Sequence, residues 1–123
     1  MRNKQLNVKG EVDYDYKNDI LFFKAKEREY KRSIEMNNII LDVDKEGFIT
    51  GLQIIEASKY LNISKDNLLK IPKWNLNTVV DNKILEIRLL FQINYRNKTI
   101  EKNPIITQHI EEELPNSELF CVC

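Results

Sequence analysis

One segment of the chain alternates apolar and polar residues over a long stretch, and this pattern constrains the fold more than any other. Every second residue of 85–95 is apolar, and the positions between them include Glu86, Arg88, Gln92 and Asn94. A period of two residues is typical of a β-strand with one buried face. The segment therefore predicts a long core strand, with Leu90 as the one apolar residue on its polar face.

Two hairpins are predicted ahead of this strand. Residues 11–16 alternate acidic and apolar side chains, 15–19 form a polar turn, and 20–25 return as an aliphatic and aromatic strand. Residues 38–43 and 48–55 form the second pair, with Gly47 available for a positive φ in the turn between them. The charged stretch 26–32 is interpreted as a solvated connection.

Helical spacing replaces the strand pattern after residue 56. Ala57, Tyr60 and Leu61 fall on one helical stripe, and Ser64 is a suitable N-cap for a short second helix. Pro72 ends the helical region, because the residue before a proline is disfavoured in the helical conformation. Further along, 99–107 is predicted as an edge strand interrupted at Pro104.

These elements predict an α+β fold: an antiparallel β-sheet built from hairpins, with a short helical segment packed on one face. The expected organisation is a single domain over 1–123. Within it, 11–62 supplies the hairpins and helix, 74–112 an additional antiparallel β unit, and 113–123 a loosely specified tail.

Charge and composition limit the classes of partner. The chain has 19 Lys and Arg against 19 Asp and Glu, so no overall positive field attracts nucleic acid or an anionic membrane. Its longest aliphatic or aromatic run, 20–23, is far shorter than a membrane helix. The two cysteines, Cys121 and Cys123, suit a reducing compartment. We therefore expect a cytoplasmic protein with no nucleic-acid or membrane partner.

Residues 42–49 imitate the start of a calcium-binding loop. Asp42, Asp44 and Glu46 precede Gly47 at the required spacing, but the twelfth position holds the neutral Gln53 where such a loop needs a bidentate Glu. The flanking residues also have strand character, which favours a hairpin turn.

A zinc site would have only three ligands, His109 and the two cysteines. No metal or other cofactor is predicted.

Two alternative functions arise from local patterns. Residues 56–70 resemble the helix-turn-helix of small DNA-binding regulators, although the second helix is short for a recognition helix. The acidic residues Asp13, Asp15, Asp42 and Asp44 form a cluster of candidate ligands for a metal-dependent hydrolytic enzyme. Turn formation and solubility explain the same carboxylates without catalysis.

Two stretches read together resemble a known family. The segment 14–23 contains a Tyr-Asp pair, an Asp four residues later and a strand, whereas 51–59 is a strand that runs into a helix through Ala-Ser-Lys. Across 11–62 this order is similar to the small archaeal and bacterial domain of unknown function numbered 2283. The resemblance implies a small antiparallel sheet followed by a helix, with no established activity. It marks these candidate interaction or motif positions: Tyr14, Asp15, Asp19, Asp42, Gly47, Gly51 and Ser58.

The function expected from these observations is a non-enzymatic protein-interaction module that is able to self-associate. The unpaired backbone groups of an edge strand such as 99–107 must be covered or used. The sequence has a single histidine, and no Gly-rich phosphate loop is recognisable in it. We therefore expect a protein partner or a second copy of the chain, with no catalytic residues.

Overall fold

The computed structural model describes residues 4–123, and strands dominate it: 62% of these residues are in strands and 8% in helices. The helices are α1 (Ala57–Leu61) and α2 (Lys65–Leu69). The strands are β1 (Lys4–Asp15), β2 (Ile20–Ala25), β3 (Tyr30–Met36), β4 (Ile39–Asp44), β5 (Ile49–Ile55), β6 (Trp74–Asp81), β7 (Ile84–Tyr95), β8 (Lys98–Lys102), β9 (Ile105–His109) and β10 (Ser117–Val122).

All ten strands belong to one continuous sheet in the order β3-β4-β5-β2-β1-β10-β6-β7-β8, and β9 pairs with β7 beyond the end of β8. The pair β1–β10 is parallel, whereas the other pairs are antiparallel. Strand β1 belongs to two half-sheets. Its residues 10–15 pair with β2 in the first half-sheet, and its residues 4–9 pair with β10 in the second.

Gly10 marks the point where β1 passes from one half-sheet to the other. A Cβ atom at this position would collide with the Sγ atom of Cys121 and with the carbonyl oxygen of Lys24. Only glycine lets the backbones approach this closely. The absence of a side chain at position 10 leaves room for β10 and β2 to pair with successive segments of β1.

The two half-sheets share one hydrophobic core, at the centre of which Trp74 is 1% exposed. Its indole meets Phe23 of the first half-sheet edge to face at 5.4 Å between ring centroids, and Phe91 of the second at 4.3 Å. Burial of such aromatic side chains contributes a large share of core stability. Along β7, the predicted alternation is confirmed for Leu85, Ile87, Leu89 and Phe91, all of which are buried, but Tyr95 is exposed.

The expected α+β class is wrong, because the fold is β-rich. Each helix has only five residues, so the helical segment covers little of the sheet. The local spacing that predicted the helices is correct, since Ser64 caps α2 by accepting a hydrogen bond from the Asn67 N–H at 3.2 Å. Strand pairing beyond the predicted hairpins accounts for the difference.

Both ends of the described chain contribute strands that sequence reasoning did not predict. Residues 4–9 extend β1, and the expected tail 113–123 contains β10, a central strand between β1 and β6. The expected solvated connection 26–32 contains the start of β3. The hairpins over 11–25 and 38–55 and the edge position of 99–107 are confirmed.

Among residues 4–123, no helix is long and apolar enough to cross a membrane.

Candidate functional site

Three of the motif residues meet at the end of the first hairpin. The Tyr14 hydroxyl donates a hydrogen bond to Asp19 Oδ1 at 2.6 Å, and the Ser58 hydroxyl donates one to Asp19 Oδ2 at 2.6 Å. The Ser58 backbone N–H adds a third bond to Oδ1 at 3.0 Å. Asp19 is only 9% exposed, so this cluster is a nearly buried carboxylate with three donors.

The local backbone explains why the carboxylate points at the helix. Asp15 shapes the β1–β2 turn, because its carboxylate accepts hydrogen bonds from the Asn18 N–H at 3.0 Å and from Asn18 Nδ2 at 2.8 Å. Asp19 then adopts a left-handed conformation with φ 56°. Its carbonyl accepts the Ala57 N–H at 3.0 Å. Glu56, at the N-cap position of α1, makes no side-chain hydrogen bond to the helix. Asp19 instead accepts hydrogen bonds from the backbone N–H groups of Ala57 and Ser58, the first two residues of α1.

The electrostatics of this cluster favour a structural role. Burial opposes ionisation of Asp19, but the hydrogen bonds from Ser58 and Tyr14 outweigh it and lower the pKa of the carboxyl below 3.8. Burial, together with the bond to Asp19, raises the pKa of Tyr14. A carboxylate with a lowered pKa is a weak base for activating the Ser58 hydroxyl. The cluster therefore ties the first hairpin to α1 and offers no ready nucleophile.

Asp42 and Gly51 form a second motif pair, on β4 and β5. They are direct cross-strand partners, and a Cβ atom at position 51 would collide with the Asp42 carboxylate. Asp42 also accepts a hydrogen bond from the Ser33 hydroxyl at 2.8 Å. Glycine is thus required at position 51 because the side chain of Asp42 lies across its face.

Gly47 lies in the β4–β5 turn with φ 90°, next to the buried Asp44. Asp44 Oδ2 accepts a hydrogen bond from Arg28 Nε at 2.8 Å, and an Nη atom of the same guanidinium forms an ion pair with it at 2.7 Å. Asp44 Oδ1 accepts the backbone N–H groups of Glu46 and Phe48, both at 2.9 Å. Burial would lower the pKa of Arg28, but the pairing with Asp44 raises it. This ion pair was not predicted, since Arg28 lies in a stretch interpreted as solvated.

The two cysteines lie together at the end of β10. Their Sγ atoms are 3.5 Å apart, Cys121 is buried, and neither forms a disulfide. The hydrogen bond between the two thiols lowers the pKa of Cys121 and raises that of Cys123. Within the described part of the chain, no three metal-ligating side chains cluster, and His109 does not join the thiols.

An apolar patch covers the solvent-facing side of the second half-sheet. It consists of Leu90, Ile105, Phe120 and Val122, which are 39%, 58%, 42% and 49% exposed. With the side chains of neighbouring strands, they surround a shallow hollow of about 470 Å³. In the sequence, only Leu90, the one apolar residue on the polar face of its strand, indicated this patch. Phe120 and Val122 were missed because their segment was taken for a tail.

Comparison with known proteins places the first hairpins in a family. The model for "Protein of unknown function (DUF2283)" matches residues 11–58, which include the whole Tyr14–Asp19–Ser58 cluster. No solved structure matches the chain.

Two archaeal relatives extend the similarity beyond that segment. A Methanosarcina mazei protein named "Putative hypoxanthine phosphoribosyltransferase" is 31% identical over 122 residues, covering 90% of this chain and 98% of the relative. An uncharacterised protein of Methanocaldococcus jannaschii is 28% identical over 100 residues, covering 80% of this chain and 86% of the relative. Residues 11–58 therefore belong to the protein family of unknown function DUF2283, and the chain is a relative of the Methanosarcina mazei protein over 90% of its length.

Proposed function

We propose that the protein is a non-enzymatic interaction module that self-associates, with two copies packing through the apolar patch. The observation that carries this proposal is the contiguous exposure of four large apolar side chains on one sheet face. Apolar residues exposed together, with polar residues around them, are typical of protein interaction sites. Sheet faces also pack well against one another, because both surfaces are broad and regular.

The charge of this surface favours a second copy as the occupant. Arg88 lines the hollow and pairs with Glu86 of the same strand at 2.9 Å. In a two-fold interface the same patch of each copy lies against that of the other. Arg88 of one copy is then able to lie against Glu86 of the second copy, and the reverse. The chain as a whole has a formal net charge of zero, and identical copies therefore have little net repulsion.

The floor of the hollow also suits a symmetric contact. Asn75 and Asn77 of β6 lie between the apolar side chains of β10 and those of β7 and β9. The Asn77 amide already donates a hydrogen bond to the Leu119 carbonyl of its own chain at 3.1 Å. An amide both donates and accepts hydrogen bonds, so Asn75 is able to pair with Asn75 of a second copy. A hydrogen bond of this kind among the apolar side chains would fix the register of the interface.

Phosphoribosyl transfer, which the name of the Methanosarcina mazei relative describes, is not the function that we propose for this chain. A phosphoribosyl donor carries a pyrophosphate group, which proteins commonly hold with the open backbone of a glycine-rich loop. The three glycines of this chain are instead packed against side chains: Gly10 against Cys121, Gly47 against Pro115 and Gly51 against Asp42.

The two alternatives from the sequence receive less support than self-association. Helix α2, the candidate recognition helix, has five residues and spans only about 7.5 Å. Three of the four carboxylates proposed for a hydrolytic metal site are engaged elsewhere: Asp15 binds Asn18, Asp42 binds Ser33, and Asp44 binds Arg28. A metal ion would have to displace these partners. The fourth carboxylate, Asp13, is exposed on β1.

The mass of the protein in solution tests the proposal. Light scattering from micromolar to millimolar concentration is expected to show twice the mass of one chain for the wild type. Leu90→Glu and Phe120→Glu are expected to shift the protein to a folded monomer, because each places a charge inside the apolar contact. The matched control is Leu69→Glu, since Leu69 is 56% exposed on α2 outside the patch. A wild type that remains monomeric throughout would refute self-association.

A further inference from the structure

The continuous sheet ends at two edges, and parts of these edges lie beside one another. A groove of about 450 Å³ is lined on one side by residues 33–37, from β3 and the turn after it, and on the other by residues 108–112, from β9 and the chain beyond it. We call this groove the seam. It lies outside the apolar patch of the proposed dimer, with which it has no lining residue in common.

The two sides of the seam run antiparallel. Arg32, at the start of the β3 side, forms an ion pair with Glu112 at 3.1 Å and donates a hydrogen bond to the Glu113 carbonyl at 2.9 Å. These contacts close one end of the seam. Since residue 112 thus lies beside residue 32, the chain from 108 to 112 runs opposite in direction to β3.

The seam is a gap in the hydrogen-bonded sheet. Within the described chain, no backbone hydrogen bond joins residues 33–37 to residues 108–112. An edge strand directs alternate N–H and C=O groups away from its one partner, so both sides present unpaired groups. A short extended segment would be able to pair with either side and fill the gap.

The floor and the rim of the seam differ in polarity. The half-buried Met36 and the buried Ile34 and Ile110 form an apolar floor. Glu35 and Glu111 are exposed on the rim, and neither forms an ion pair within residues 4–123. Glu112 is a third carboxylate on the rim, and no lysine or arginine lines the groove.

We propose that the seam binds an extended peptide segment of another protein in which lysine or arginine alternates with apolar residues. Side chains of an extended strand point alternately to its two faces. In the seam, the apolar set faces Ile34 and Ile110, and the basic set faces the rim carboxylates. Backbone pairing with the open edges supplies affinity, and the alternation supplies specificity.

The length of such a segment follows from the length of the seam. Each side contributes five residues, which corresponds to roughly 17 Å of extended chain. A peptide of about seven residues therefore spans the seam with one residue beyond each end. A second copy of this protein is a poorer occupant, because each of its strands is held by at least one neighbour in its own sheet and would have to leave that sheet to enter the seam.

The experiment uses a random heptapeptide display library panned against the full chain. The expected result is enrichment of peptides that alternate basic and apolar residues. The most enriched peptide is then synthesised, and its affinity is measured by calorimetry. In the same complex, backbone amides of 33–37 and 108–112 are expected to exchange more slowly with solvent.

Charge-reversal variants distinguish peptide binding in the seam from non-specific attraction between a basic peptide and the protein surface. The double variant Glu35→Lys, Glu111→Lys is expected to weaken binding of the selected peptide at least tenfold. The control Glu27→Lys, Glu101→Lys changes the net charge equally at exposed positions outside the seam and is expected to bind as the wild type does. Failure to enrich any peptide, enrichment of acidic peptides, or equal loss of affinity in both double variants would overturn the proposal.

Discussion

At the scale of single residues, buried carboxylates organise the loops of this protein. Asp19 accepts three hydrogen bonds that join a hairpin to a helix, and Asp44 accepts two backbone N–H groups while pairing with Arg28. A buried charge is tolerated only when its hydrogen-bonding capacity is satisfied. Both aspartates meet this condition, and among the described residues no buried side-chain polar atom lacks a partner.

The role of Asp19 predicts a pH-dependent loss of stability in the variant Asp19→Asn. The folded pKa lies below the ordinary value of 3.8, so ionised Asp19 stabilises the fold above that pH. This contribution is lost as the pH falls through the folded pKa. We expect Asp19→Asn to cost about 1–3 kcal/mol at pH 7, and the difference from wild type to shrink below about pH 4.

Thermal denaturation at pH 7, 5, 4 and 3 measures this difference. The exposed Asp13→Asn is the matched control, and it should change the melting temperature little at any of these pH values. A destabilisation by Asp19→Asn that is equally large at pH 3 and pH 7 would contradict the assigned charge state.

The environment of Asp44 predicts that the calcium-like segment 42–49 binds no calcium. To act as a ligand, the Asp44 carboxylate would have to give up the Arg28 pair at 2.7 Å and two backbone hydrogen bonds. Calorimetry with millimolar calcium should therefore show no saturable binding. A saturable isotherm that disappears in Asp42→Ala would show that this interpretation is wrong.

At the scale of elements, local patterns predicted the hairpins and the helix cap at Ser64, but they did not predict the long-range strand pairing. The turn residues between β1 and β2 and the cap at Ser64 act within a few positions, so their chemistry is visible in the sequence. The β1–β10 pair joins Lys4 to Ser117, and no local signal specifies such a pairing. Similarly, the family motif identified Asp19 and Ser58 as positions of interest, but only the fold brings them into contact.

Strand β10 should contribute to stability as a core element. Leu119 is 1% exposed, and its neighbour Glu118 lies on the opposite face. We expect Leu119→Ala to lower the free energy of unfolding by about 2–5 kcal/mol, because it leaves a cavity in the core. Glu118→Ala should cost less than about 1 kcal/mol. Urea denaturation compares the two, and similar midpoints would argue against a central position for β10.

At the scale of the whole molecule, the fold separates its stabilising interactions from its exposed surfaces. Trp74 and its aromatic neighbours hold the two half-sheets together from inside, and the motif clusters fix the turns. The apolar patch and the seam are left exposed on the outside. The proposed self-association depends on the apolar patch, and the proposed binding of an extended segment depends on the seam.

The measurement that tests self-association through the apolar patch most directly is a mixed-label nuclear Overhauser experiment. Equal amounts of carbon-13-labelled and unlabelled protein are mixed, and only contacts between copies are recorded. The account predicts contacts that join the Phe120 ring to methyl groups of Leu90, Ile105 or Val122 in the other copy. Intermolecular contacts confined to another surface, or none at millimolar concentration, would contradict it.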